Sequence, residues 1–241
     1  DTVTVLERII QDQHVEAVFF NRDYTPFSRA RDEAIQALCK KLHIACFIFD
    51  DALLTTPEQV YTGAKKPYTI FTPFYTTAKK IPVATPKKNT GKHFFQGTIA
   101  FAQAEETVFQ KVASELPKQS MHTGGRTAAL AMLKRIATYK DYSDTRNLPA
   151  LDATTHLSHH HKFGTVSIRE VYTSITTKLP QAETLVRELY WRDFFSHIAY
   201  HFPHVFGASF HQEYDHIAWK NNTADFAAWC DGNTGFPIVD A

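Results

Sequence analysis

The sequence predicts an α/β part with parallel strands followed by a mainly α-helical part. Three observations carry that reading. Two short apolar runs, Ala17-Val-Phe-Phe20 and Ala45-Cys-Phe-Ile-Phe49, each follow a helical pattern, and the order helix, strand, helix, strand implies parallel pairing. From residue 123 onward apolar residues recur at helical spacing. Between these parts, residues 81–122 are broken by proline and glycine.

Taken in order, Thr4 to Gln13 reads as an amphipathic helix with Val5, Leu6, Ile9 and Ile10 on one side. Glu16 to Asn21 reads as a buried strand. Pro26 to His43 is helical, carrying Ala30, Ala34, Ile35, Leu38 and Leu42, and Ala45 to Asp50 is the second strand. A pair of strands is too small for a stable open sheet, so part of a larger sheet is expected. Ile81 to His122, with Pro82, Pro86, Lys87-Lys88, Gly91, Gly97 and Pro117, reads as a connector. Helices are then expected over Thr127 to Tyr139, Ser167 to Thr177, Glu183 to His201 and Thr223 to Cys230.

The 241 residues suffice for a sizeable core. With a net charge of +1 there is no global electrostatic signature of nucleic-acid binding, so any such contact is local. The 3 cysteines, Cys39, Cys46 and Cys230, form no disulfide framework and fit a reducing compartment. No apolar run approaches the ~18 residues of a membrane span, and no membrane association is expected. His159-His160-His161 and His197, His201 and His204 could supply nitrogen ligands. However, HExxH and a matching Cys or acidic set are missing, so no metal is expected. Neither GxGxxG nor a P-loop pattern occurs.

Two clusters carry chemistry. Thr154-Thr155-His156-Leu157-Ser158 gathers hydroxyls and backbone amides ahead of a helix, a setting that suits an anion or a plain N-cap. Glu188, Trp191, Arg192 and Phe195 fall at i, i+3, i+4 and i+7, one stripe of the Glu183 helix; a core tryptophan beside an exposed ion pair would look the same. Trp219 and Trp229, taken singly, are core or half-buried aromatics.

Several motifs occur together. They are Asn21-Arg-Asp-Tyr-Thr-Pro26 with Arg31-Asp32, Tyr68-Thr-Ile-Phe71-Thr-Pro73-Phe74, Tyr142-Ser-Asp-Thr-Arg146-Asn147-Leu-Pro149 and Thr154 to Ser158. Lys162-Phe-Gly164 to Arg169, Glu188-Leu-Tyr-Trp191-Arg192 and Thr234-Gly-Phe-Pro-Ile-Val-Asp240-Ala241 follow. Their order resembles the DNA photolyase/cryptochrome family of light-driven flavoproteins. The resemblance implies the C-terminal part of a Rossmann-like antenna domain over 1–80, a connector over 81–122, and the N-terminal half of a helical FAD-binding catalytic domain over 123–241. The chain then lacks both ends of its parent and is expected to be inactive by itself.

The resemblance also implies site roles. Thr154, Thr155, His156, Leu157 and Ser158 would hold the FAD pyrophosphate, with Tyr142 packed on the same cofactor. His156 stands where many relatives have arginine. Trp191 would stack on a flipped pyrimidine dimer, Glu188 would bond its base edge, Arg192 and Phe195 would lie on the DNA side, and Arg146 would meet the DNA backbone. Glu188 and Trp191 would be the catalytic pair. Trp219 would be the solvent-end member of an electron-transfer chain, and Trp229 structural. A second, antenna chromophore is implied, but Phe27-Ser28 stands where folate-binding relatives place Asn-Glu, so folate is not supported.

The expected activity is that of a carbon–carbon lyase: light-driven repair of cyclobutane pyrimidine dimers in UV-damaged DNA by electron transfer from reduced FAD. The expected protein is monomeric, cytoplasmic and DNA-associated, of bacterial intracellular type. The alternative is a blue-light photoreceptor of the same family without repair. Retention of Glu188, Trp191 and Arg192 together favours repair.

Overall fold

The helix–strand alternation of the N-terminal part folds as α1 (Thr2–Asp12), β1 (Ala17–Asn21), α2 (Pro26–Lys41) and β2 (Ala45–Phe49). The structure is a computed structural model and describes residues 2–87, 89–97, 99, 102–115 and 123–240. Helix α2 starts where the local chemistry says it should. Thr25 accepts a hydrogen bond from the Ser28 amide, and Pro26 occupies the first turn, where no amide is needed. Strands β1 and β2 pair in parallel, from Ala17 opposite Ala45 to Asn21 opposite Phe49. Ile10 of α1 and Ile35, Leu38 and Cys39 of α2 are buried.

The strands differ from expectation in one respect. An apolar run reads as buried on both faces, yet Phe19 is 63% exposed and Phe47 and Phe49 are also open to solvent. Phe19 stacks on Phe47 at 4.8 Å and on Phe49 at 6.4 Å. The aromatic face of the pair has no covering layer among the described residues.

The helices that follow are α3 (Phe71–Ala78), α4 (Ala102–Glu115), α5 (Arg126–Lys134), α6 (Tyr142–Thr145), α7 (Ser158–Lys162), α8 (Ile168–Lys178), α9 (Glu183–His201), α10 (Thr223–Cys230) and α11 (Pro237–Asp240). Helix α4 falls inside the segment read as a connector. Its Ala, Gln, Glu and Lys content favours helix, and the breakers Gly97 and Pro117 only bracket it. Lys88, Pro117 and His122, also used in the connector reading, lie outside the described residues. The helix expected over 127–139 ends at Lys134 and tightens into a 3₁₀ turn, Ile136–Tyr139. Helix α8 opens on a capping box between Ser167 and Glu170, and α9 has the bounds its periodicity predicts.

The main core gathers Phe71, Phe74 and Tyr75 of α3, Val171 and Ile175 of α8, and Leu185, Leu189, Tyr190 and Phe194 of α9. The buried residues of α9, among them Leu185, Leu189, Asp193, Phe194 and His197, lie on one half of its circumference, and the other half, with Glu188, Trp191 and Phe195, is partly or fully open. One side of α9 holds the strap of residues 52–68. Thr55 donates its amide and hydroxyl to Asp193 Oδ2 at 2.8 and 3.2 Å, and the Tyr68 amide donates to His197 Nε2 at 3.2 Å. His201 Nε2 donates to the Pro57 carbonyl at 3.3 Å, and Arg192 donates to that of Ala52. Burial pushes the Asp193 carboxyl up to about 7, against the Thr55 amide that favours its anion.

The described chain forms two units, Asp1–Pro203 and His204–Ala241. In the second, Asn222 caps α10 by accepting from the amides of Ala224 and Asp225. No described helix is long and apolar enough to cross a membrane.

Candidate functional site

Helices α6, α7, α8 and α9 line a half-open cavity of about 240 Å³. Its polar lining is Tyr142 of α6, Thr155 and Ser158 at the entry to α7, His161 of α7, and Glu188 and Arg192 of α9. Leu157, Val171, Ile175, Leu185 and Leu189 supply the apolar wall. The local chain explains how the turn into α7 reaches it. His156 adopts φ 50, a left-handed conformation uncommon outside glycine, and both of its neighbours, Thr155 and Leu157, line the cavity. Its own ring turns to Asp152 at 2.5 Å, and Thr154 is exposed.

The charges are arranged unevenly. Glu188 is paired with Arg146, whose guanidinium also lies 5.9 Å from the centre of the Tyr142 ring. Burial, and then the Glu188 charge, raise the Tyr142 phenol above its ordinary value. Burial lowers Arg192, with the Asp193 charge opposing it. His161 is pushed down to about 4 by burial first, then by Arg192 and His160. Its Nε2 is shielded from solvent and has no hydrogen-bond partner among the described residues. Hydroxyls, a cationic side chain and a shielded imidazole suit an anion, and the apolar wall suits the body of an organic ligand. The volume is below the roughly 300–1,000 Å³ of whole-ligand pockets, which fits a site for one end of a larger molecule.

The stripe predicted on α9 divides. Glu188 and Arg192 line the cavity, whereas Trp191 stacks on Phe71 of α3 with centroids 3.6 Å apart and planes within 9°. Phe195 stacks on Trp191 at 5.7 Å and is 62% exposed. Glu188 also finds its partner off the helix, in Arg146 of the loop after α6, where spacing alone offered Arg192. Trp219 is 72% exposed and lies in the unit His204–Ala241, as does Trp229, which stacks on Phe226. Among the described residues no group of three or more His, Cys, Asp or Glu is placed to hold a metal ion. His197 and His201, spaced for a metal in the sequence, hold the strap.

Sequence reasoning missed His161 as a lining residue, because a run of three histidines gives no sign of which ring faces inward. It also missed a wider cleft of about 1060 Å³ at the C-terminal ends of β1 and β2, lined by Asn21, Asp50, Asp51, Arg126 and Arg169. Open α/β sheets place ligands at those strand ends, and Asn21 at the end of β1 with Asp50 just after β2 was the available signal. Arg169 pairs with Asp51 at 2.9 Å and donates to the Asp50 carbonyl at 2.8 Å.

Comparison with known proteins agrees at both ends of the chain. Residues 1–90 match the model described as DNA photolyase, and residues 185–241 the FAD binding domain of DNA photolyase. The deoxyribodipyrimidine photo-lyase of Synechococcus sp. is 30% identical over 100% of this chain and 53% of its own length. An archaeal photolyase from Sulfolobus tokodaii, solved with two FAD molecules, superposes with a TM-score of 0.77 at 36% identity over 99% of this chain and 50% of that one. A bacterial class III photolyase from Agrobacterium tumefaciens shares the fold, with a TM-score of 0.84 at 24% identity, covering 100% of this chain and 52% of that one. The chain spans about half the length of the curated relatives it matches. A family model at each end, a relative matched along the whole chain and a shared two-part architecture lead to one assignment: the chain belongs to the DNA photolyase/cryptochrome family.

Proposed function

We propose that the protein carrying this chain repairs cyclobutane pyrimidine dimers in UV-damaged DNA by light-driven electron transfer from FAD. The observation that carries the reading is the cavity in which Tyr142, Thr155, Leu157 and Ser158 converge with Glu188 and Arg192. Residues 1–80 are the antenna part, 81–122 the connector and 123–241 the FAD-binding part. Reduced FAD supplies, when bound, the electron that opens the cyclobutane ring.

The chain's own residues bind and orient. Thr155 and Ser158 donate to phosphate oxygens, with Thr154 and His156 on the outer side of the same turn, and Leu157 closes the apolar wall. Tyr142, held with Arg146, packs on the cofactor body. Glu188 keeps a carboxylate at the lesion side, where it bonds a base edge, and Arg192 holds a cation beside it. Phe195 and Trp191 present stacked aromatic surface to an unstacked base, and Arg146 meets the DNA backbone. Trp219, exposed to solvent, serves as the outer relay for reduction of the flavin. The cleft at the ends of β1 and β2 is the place for a second chromophore. The protein acts as an intracellular monomer.

A second reading, a photoreceptor without repair, is favoured by one observation: Trp191 stacks on Phe71 and does not line the cavity. Light-dependent loss of dimers from irradiated DNA, measured on the full-length protein that carries this chain, separates the two. Repair in light and none in darkness supports the first reading; flavin photoreduction without dimer loss supports the second.

A further inference from the structure

We propose that His161 is a proton-linked ligand to the diphosphate of the dinucleotide cofactor, so that cofactor binding takes up a proton. The inference rests on the reading of the α6–α9 cavity as the FAD phosphate site. It begins with the run His159-His160-His161, whose rings take different directions. His160 is fully buried with Nδ1 at 2.7 Å from the Thr165 hydroxyl, whereas His161 lines the cavity. There its Nε2 is shielded from solvent, with no hydrogen-bond partner among the described residues. A shielded polar atom without a partner costs free energy, and a ligand oxygen would relieve that cost.

The surrounding charges say which ligand. Arg192 and Glu188 of α9 and Tyr142 of α6 line the cavity with His161, and Arg192 and the adjoining His160 act on its charge. Helix α8 brings only Val171 and Ile175. The Glu188 carboxylate is already met by Arg146. What acts on the ring is therefore burial, then the Arg192 cation, then His160, all of which disfavour its protonation. An anion between Arg192 and His161 reverses the second effect. The imidazole then takes a proton, and both ring nitrogens become donors. Thr155 and Ser158, on the same wall, supply the neutral donors that a diphosphate diester needs.

The test uses the full-length protein that carries this chain, freed of its flavin, with FAD and riboflavin as probes. Riboflavin carries the same ring system without phosphate, and the FAD diphosphate diester does not itself titrate near neutrality. Binding is measured by calorimetry from pH 5 to 8, in two buffers of different ionisation enthalpy so that proton uptake is read directly. For the wild type, FAD affinity should fall by up to about tenfold per pH unit as pH rises, with net proton uptake. Riboflavin should show neither effect. His161→Gln keeps a donor that cannot titrate, so FAD should still bind, with a flat pH profile. His161→Leu should lose affinity at low pH; if it fails to fold, the glutamine variant decides.

An undiminished pH slope and proton uptake in His161→Gln would overturn the inference and leave the cavity reading standing, with His156 as the next group to test. Failure of the wild type to bind FAD at any pH would overturn the cavity reading, and the inference with it. The same proton uptake on binding a thymidine oligonucleotide, with none for FAD, would move the phosphate from cofactor to DNA and overturn the assignment.

Discussion

Helix α9 has two polar sides that its neighbours treat in opposite ways. Toward the strap of residues 52–68, Asp193, His197 and His201 each meet a backbone group, and next to them Tyr190 and Phe194 are buried against α3. Toward α6 and α7, Glu188 and Arg192 line a cavity, and across it His161 has a shielded nitrogen with no partner among the described residues. Arg192 serves both sides, since it also reaches the Ala52 carbonyl. One helix thus spends polar groups on fastening the chain and presents others to a ligand. Changes on the strap side should cost stability, and changes on the cavity side should cost binding or chemistry.

The strongest way to break that comparison is Phe194→Ala. This buried ring touches Phe71 at 5.8 Å and Phe74 at 5.3 Å, so its removal should cost about 3–5 kcal/mol in urea unfolding. A loss below ~1 kcal/mol would show that α9 is loosely packed against α3. Next comes Trp191, which sits between the two sides. In the full-length protein Trp191→Ala should weaken binding to dimer-containing DNA by roughly 1–3 kcal/mol and spare undamaged DNA. Equal losses on both DNAs in a gel-shift titration would assign the ring to packing on Phe71 alone.

The acid on the strap side sharpens the comparison through pH. Asp193 has its folded value near 7 against an ordinary 3.8, so between them the native state holds the extra proton and stability falls as pH rises. His161 and His197 lie near 4 against 6.5, so over that window the unfolded state holds more protons and stability rises with pH. The two trends oppose each other. Asp193→Asn removes the falling one, so the stability of the variant should climb more steeply from pH 4.5 to 6.5, by up to ~1.4 kcal/mol per pH unit. Identical slopes for variant and wild type would show that Asp193 does not carry a raised pKa. The smallest effect on stability belongs to the cavity side. Glu188→Gln should change it by no more than ~0.5 kcal/mol while lowering repair per absorbed photon, because a carboxylate beside developing charge acts in the chemical step. Unchanged quantum yield with weaker DNA binding would reassign Glu188 to recognition.

Much of this organisation was legible in the sequence. The apolar runs and their alternation with helical patterns located β1, β2 and α2 and implied the parallel pairing, and the spacing along 183–201 gave the bounds of α9. Helix α4 was not legible, because breakers on either side concealed its good helix formers. The hydroxyl cluster and the α9 stripe named residues that do meet, such as Thr155, Ser158, Glu188 and Arg192. They did not show that Trp191 turns to Phe71, that Glu188 pairs with Arg146, or that His161 closes the cavity.

The division has a physical cause. Local sequence sets backbone propensity, capping and periodicity, which decide where helices and strands lie and which residues share a face. By itself it therefore determined the α/β start, the helical remainder and the motifs of a photolyase-type flavoprotein. Which face meets which neighbour depends on contacts between residues far apart in the chain, and α9, apolar on all sides, has no pattern that ranks its faces. Only the tertiary structure decided that one side fastens the strap and the other opens on a cavity, because there the burial of Phe194 and the partners of Asp193 and Glu188 come from segments that sequence spacing does not connect.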